Sequence, residues 1–298
     1  MFIPKATLPH FWRTVCMGAH TAVSDSNTRI IWRGPRVENK SDAQKHLIEF
    51  YTAKHVDAMV IAPAHKNRLN ESIDKAIKAG IKVVIVDSRT SANRQDSLIA
   101  TDNYQAGRIG AKILLEKTKG KGSLLLMGNV PDNGSISDRE QGFIDAVHEL
   151  SPGTTVIKLN TQEGTRMEAQ LAAEEILQSS IPLSGIFSDS EVSSEGVLYA
   201  LKKLGITGIP FVAFDYTEEL LSALKTGLVD VVIAQTPFAM GYMGVRTAME
   251  LLEGKEVPAT MKCPIKILTR ENIDRNEILR CLRKADEEEK AACPICFN

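Results

Sequence analysis

The 298-residue chain contains no run of about 18 apolar residues, so no segment reads as a membrane-spanning helix. It also lacks a surplus of charge: 36 Lys and Arg stand against 37 Asp and Glu, a net charge of -1. The composition therefore gives no reason for a basic face that grips phosphate backbones, and no nucleic acid is expected as a partner. The common catalytic signatures are missing. There is no G-x-x-x-x-G-K-[ST], no G-x-S-x-G, no H-E-x-x-H, and no G-x-G-x-x-G after the first apolar run. Gly120-Lys121-Gly122 reads as a turn into a strand, not as a phosphate cradle. Five scattered cysteines, Cys16, Cys263, Cys281, Cys293 and Cys296, argue against a complete disulfide framework and leave room for one bridge. The single Cys293-Pro294-Ile295-Cys296 has no second pair nearby and is weak ground for zinc. Neither a metal nor a cofactor is expected.

What the chain does have is a rhythm. Hydrophobic residues make up 43% and charged residues 24%, the balance of a globular protein of roughly two domains. Short β-branched runs read as strands: Met1 to Pro4, Ile30 to Trp32, Ala58 to Pro63, Lys82 to Asp87, Leu98 to Ala100 and Ser123 to Met127. They continue with Thr155 to Leu159, Gly185 to Ser188, Phe211 to Phe214 and Val231 to Ala234. Amphipathic segments alternate with them, among them Ser41 to Lys54, Tyr104 to Glu116, Ser137 to Leu150, Val192 to Leu204 and Gly241 to Leu252. Such alternation implies an α/β fold with parallel sheets and helices on both faces. About ten strands exceed one sheet of usual width, so two doubly wound lobes are expected.

Polar residues collect where the strands stop. Asp87, Asp102-Asn103, Asn129, Gln162, Ser190, Asp215 and Gln235 each follow an apolar run. Ligands of open α/β sheets bind beyond the carboxyl ends of the strands, so these residues, drawn from both halves, line a shared cleft. Carboxylates accept from hydroxyls while amides donate and accept, which suits a neutral, hydroxyl-rich ligand. Each residue alone is equally a helix cap, and Asp102 is the best candidate for a pure cap. Phe11 and Trp12 follow the first strand and offer an aromatic surface to a sugar ring, or else pack into the core. Phe214 and Tyr216, flanking Asp215, face the same choice. Arg139 lies in the first turns of a helix, where a cation opposes the dipole; it reaches toward ligand hydroxyls or Asp87, or forms a surface salt bridge.

These residues resemble the periplasmic sugar-binding proteins of the ribose-binding type, with the sugar-sensing domains of LacI-type repressors close behind. The resemblance runs from Ile3 to about Ile273. It rests on Pro9-His10-Phe11-Trp12 before Gly18-Ala19, Val83-Val84-Ile85-Val86-Asp87, Ala100-Thr101-Asp102-Asn103, Asp138-Arg139-Glu140-Gln141-Gly142-Phe143, Phe211-Val212-Ala213-Phe214-Asp215 and Ile233-Ala234-Gln235-Thr236-Pro237. It implies the type I periplasmic-binding-protein fold, two doubly wound lobes joined by a three-stranded hinge. The lobes are expected at 1–101 plus 237–262 and at 104–235 plus 264–273, with a charged tail from 274 to 298. It implies that Phe11 and Trp12 sandwich a sugar and that Asp87, Arg139, Asp215 and Gln235 bind its hydroxyls, with Ser190 beside them. Departures are Ala62 and Ser190, where ribose binders carry Asn, and Arg89, one place beyond the usual Arg.

The implied function is capture of a small sugar or polyol and delivery to a membrane ABC transporter permease, by a monomer that is not an enzyme. A sugar-sensing ligand-binding domain of a regulator or receptor is the alternative; a repressor core normally carries a helix-turn-helix ahead of the first strand, and this sequence shows none. A glycosidase using Asp87 and Asp215 is a minority reading. The segment Met1-Phe2-Ile3-Pro4 shows none of the features of a leader, and the first strand is shorter than in the family. A periplasmic protein whose leader is missing from this sequence is the expectation, with a cytoplasmic one the alternative.

Overall fold

The computed structural model describes residues 1–274. In chain order the first elements are β1 (Phe2–Ile3), α1 (His10–Thr21), α2 (Ser41–Ala53), β2 (Ala58–Ile61), α3 (Asn70–Lys78), β3 (Lys82–Val86) and β4 (Ser97–Thr101). There follow α4 (Asn103–Thr118), β5 (Ser123–Gly128), α5 (Gly134–Leu150), β6 (Thr155–Asn160), α6 (Arg166–Gln178), β7 (Leu183–Ser188), α7 (Glu191–Leu204) and β8 (Phe211–Phe214). The last are α8 (Glu218–Thr226), β9 (Val231–Ala234), α9 (Pro237–Leu252), β10 (Thr260–Cys263) and β11 (Lys266–Leu268). The charged helix expected over Arg275 to Lys290, with Cys281, Cys293 and Cys296, lies outside the described residues.

Two sheets form, β1-β2-β3-β4-β10 and β11-β9-β8-β7-β5-β6. All pairs are parallel except β11 with β9. Apart from Lys82 at the start of β3, the inner strands β2, β3, β8 and β9 are runs of Val, Ile, Ala, Met and Phe because helices cover them on both faces, and an apolar side chain is useful whichever way it points. Each lobe accordingly has two apolar clusters, one per sheet face.

The expected strand Ile30 to Trp32 is reduced to one bridge, Trp32 with Phe2, held by Phe2 N to Ile31 O (2.8 Å) and Arg33 N to Phe2 O (3.1 Å). Its partner runs out: β1 stops at Ile3, before Pro4, which has no N–H to extend the ladder. With that bridge counted, each sheet places its first strand between its second and third. The two lobes share one winding plan.

Strands β10 and β11 carry no apolar-run signal, because they are short, polar edge strands. The chain passes between the sheets three times: from β4 into α4, from β9 into α9, which packs on α1, β2 and β3, and from β10 into β11. Lys262 Nζ to Asp102 Oδ2 (2.7 Å) and Thr236 Oγ1 to Pro264 O (3.2 Å) tie these crossings together.

Helices that carry the cleft residues are fixed by backbone contact. A Cβ at Gly107 of α4 would collide with the Arg139 carbonyl of α5, and one at Gly142 with the Tyr104 carbonyl of α4. Gly18 of α1 and Gly241 of α9 repeat the arrangement in the other lobe. Only residues without a side chain allow so close an approach.

Candidate ligand-binding cleft

Both sheets direct the carboxyl ends of their strands at one cleft. The segments leaving β1 and β5 emerge where the strand order reverses, the position at which open α/β sheets bind ligands. All seven residues singled out from the sequence, Phe11, Trp12, Asp87, Arg139, Ser190, Asp215 and Gln235, line it. Asp102-Asn103 and Gln162 do not. Asp102 caps α4, accepting from Gln105 N at 3.2 Å. Gln162 lies in the loop after β6, an edge strand, where its carbonyl accepts from Asn39 Nδ2.

Asp87 and Asp215 hold matching posts. Each is the residue after an inner strand, each has φ 64°, and each donates its backbone N–H to the neighbouring strand at 2.9 Å, Asp87 to Ile99 O and Asp215 to Ile233 O. The left-handed region costs least for Gly, Asn and Asp, so an Asp there turns the chain and delivers a carboxylate into the cleft.

Their partners differ. Lys5, just beyond β1 and 2% exposed, places Nζ 2.5 Å from Asp87 Oδ2. The same ammonium donates to Asn133 Oδ1 (2.8 Å), Ser135 Oγ (3.0 Å) and Ser88 Oγ. Arg89, the residue that departs from the family pattern, turns outward to Asp138 (2.6 and 2.7 Å), so the cation beside Asp87 is Lys5. Asp215 instead accepts from Gln235 Nε2 (2.8 Å) and from Glu191 N (3.1 Å), and Gln235 Oε1 accepts from Thr101 Oγ1 (2.7 Å). Ala62 is fully buried, and its carbonyl accepts from Gln44 Nε2 at 2.8 Å.

Of the alternatives for Arg139, the surface salt bridge is excluded by burial. Helix α5 begins at Gly134, three residues earlier than expected, so Arg139 falls in the second turn and is 2% exposed. Its guanidinium donates to Asn103 Oδ1 (2.6 Å) and the Asp189 carbonyl, and lies 3.5 Å over the Phe214 ring. No hydrogen bond joins it to Asp87 among the described residues. Arg139 Nε is buried without a hydrogen-bond partner among the described residues. Phe214 thus serves as the platform under Arg139, and Tyr216 packs edge-on against His10 at 5.4 Å.

The aromatic pair also departs from expectation. Phe11 and Trp12 meet edge to face at 82°, with centroids 5.0 Å apart. A ring held between two aromatic faces needs them about 7 Å apart, twice a carbon–carbon contact, so this pair forms one wall and not a sandwich. Trp12 Nε1 is anchored by Glu38 Oε1 (2.9 Å), while Glu38 Oε2 accepts from Asn129 Nδ2 of the other lobe (3.2 Å). Ser190 caps α7 in a reciprocal box with Ser193 while lining the cleft.

The lobes are closed on one another. Besides Lys5 and Glu38, Lys40 pairs with Glu163 (2.8 Å) and Lys66 with Asp132 (3.2 Å) across the rim. Closure dries the carboxyls. Burial pushes Asp215 up to about 6 against the pull of Arg139, and pushes Glu191 up to about 8. Asp189, buried beneath the cleft beside Glu140, is raised to about 8. His10 is driven down to about 4 by burial and Arg13. Among the described residues no group of three or more His, Cys, Asp or Glu is placed to hold a metal ion, and no helix is long and apolar enough to cross a membrane.

Lys5, Glu38, Asn133, Ser135 and Glu191 also line the cleft and were not singled out. Lys5 was within reach of the strand-end rule, two residues past β1. Glu38 sits in an irregular loop that carries no periodic signal.

Two lobes joined by three crossings, closed over a polar pocket with an aromatic wall, define a clamshell binder of small molecules. The model of the periplasmic binding protein domain matches residues 1–256, and the chain belongs to that family, one of binding proteins and not of enzymes. The chain is similar to the ribose import binding protein of Bacillus subtilis, 24% identical over 233 residues, 78% of this chain and 75% of that protein. Among solved structures it is similar to an ABC transporter solute-binding protein from Agrobacterium vitis with bound D-fucose. That pair shares 28% identity and a TM-score of 0.90, covering 93% of this chain and 97% of the other. A carbohydrate transporter solute-binding protein from Agrobacterium radiobacter, in complex with D-arabinose, gives 26% identity and a TM-score of 0.89, covering 93% and 96%.

Proposed function

We propose that the protein is a periplasmic solute-binding protein that captures one small sugar or polyol between its lobes and delivers it, unaltered, to an ABC-type transporter. The observation that carries this is the convergence of hydrogen-bonding groups from both lobes on one closed cavity. Asp87 and Asp215 occupy equivalent posts there, and Phe11 and Trp12 line the same cleft. The family relationship and the D-fucose and D-arabinose complexes of the neighbours support the ligand class. The Ala62 and Arg89 departures argue against a ribose-type reading of the ligand. In this reading the protein is a monomer, Arg139 Nε and the two aspartates bind hydroxyls, and closure presents the surface that the transporter recognises.

The test is a thermal-shift screen against pentoses, hexoses, inositols, amino sugars and sugar phosphates. A ligand at about 100 times its dissociation constant adds about 2.7 kcal/mol, and the bound compound is then recovered and identified. One neutral sugar or polyol recovered unchanged is the expected result. No shift with any of them, or recovery of a cleaved product, overturns the reading.

A further inference from the structure

Helix α1 has no N-terminal cap of its own. Its N-cap position is Pro9, which makes no side-chain hydrogen bond, and its first turn holds no acidic residue. The first N–H groups of a helix have no acceptor within the helix and need one from outside. Here the acceptor comes from the other lobe: Glu191, the first residue of α7, receives His10 N on Oε1 at 2.9 Å and Phe11 N on Oε2 at 2.8 Å. Glu191 is 8% exposed, and its own N–H is held by Asp215 Oδ2 at 3.1 Å. One side chain therefore joins the helix that carries the aromatic wall to the aspartate of the opposite lobe.

We infer that Glu191 is a positioning residue that latches the cleft, capping α1 from across the gap so that the lobes close before any sugar binds. When the lobes part, α1 loses its cap and Phe11 and Trp12 swing away from Asp215. Formation of the latch thus lowers the share of closure that ligand contacts must supply. The latch is linked to pH. In the closed cleft Glu191 titrates near 8, whereas a carboxyl exposed to water titrates near 4.5, so closure takes up a proton and is favoured as pH falls through 8. The charged groups around it are Asp215 at the end of β8 and Glu195 of α7, with Lys5, Glu38, Asp87 and Arg139 lining the same cleft. Asp215 shifts in the same direction, and His10, driven down to about 4, is neutral throughout that range.

The test needs no ligand and so stands apart from the choice of sugar. Amide exchange at His10 and Phe11 is measured residue by residue in the unliganded protein and normalised to the intrinsic rate at each pH. The expected result is protection of at least about tenfold, the worth of one or two hydrogen bonds, falling as pH rises from 6 to 9. Glu191→Ala loses the protection while melting as a folded protein. Glu191→Gln, which retains one acceptor and has no charge to titrate, keeps part of it and loses its share of the pH dependence. Unprotected amides in the wild type, or the same protection in Glu191→Ala, overturn the inference.

Discussion

Replacing Asp215 by Asn separates stability from binding. The Asp215 carboxyl is raised from an ordinary 3.8 to about 6 by burial, with the attraction of Arg139 already counted. A carboxyl raised in the folded state holds its proton more tightly there than in the unfolded chain. Its favourable contribution is complete below pH 3.8 and is lost as pH rises through 6, at 1.36 kcal/mol per pH unit, or about 3 kcal/mol in all. Opening of the lobes gives the carboxylate a wetter alternative, so that figure is an upper bound. Asn keeps the shape and the bonds. Its oxygen accepts from Glu191 N, and a flip of Gln235 turns an oxygen to the new amide and an N–H to Thr101 Oγ1. Urea denaturation of the unliganded proteins at pH 4 and pH 8 reads the effect. Asp215→Asn is expected to be more stable at pH 8 by about 1 to 3 kcal/mol, with the gap closing toward pH 4. The same variant is expected to bind sugar more weakly by about 1.5 kcal/mol or more, because a charged acceptor has become a neutral one. A variant less stable than wild type at pH 8 refutes the claim that burial outweighs the Arg139 attraction.

Other consequences follow from the cleft and the cores. Arg139→Ala is expected to weaken sugar binding by at least about 1.5 kcal/mol by titration calorimetry, since it removes a buried donor and the group stacked on Phe214. Lys5→Met leaves Asp87 buried without its cation and should cost about 3–5 kcal/mol of stability at neutral pH, recovered in large part by adding Asp87→Asn, as a double-mutant cycle measures. Phe187, fully buried and stacked on Phe143 with centroids 4.6 Å apart, should cost about 3–5 kcal/mol on truncation to Ala in chemical denaturation.

The inner strands were legible because burial on both faces writes them as unbroken Val, Ile and Phe, and the strand-end rule then led to Asp87, Asp215 and Gln235. Edge strands carry no such constraint, which is why β10 and β11 left no trace and Ile30 to Trp32 was overread. Cleft residues that belong to loops, Glu38 above all, obey no period. Glu191 was hidden for another reason: a Glu opening a helix satisfies that helix's own dipole, so nothing in the sequence distinguishes it from a side chain that serves a helix in the other lobe. The orientation of Phe11 against Trp12 is likewise a matter of rotamers, which neighbouring letters do not encode.

The shared left-handed turn at Asp87 and Asp215 means that one backbone device is used twice, delivering a carboxylate into the cleft from each half of the chain. Neither carboxylate waits idle, since Lys5 already holds Asp87 and Gln235 already holds Asp215. On the proposed reading a guest competes with these resident partners in each half, and its hydroxyls add to a closure that the Glu191 latch has begun.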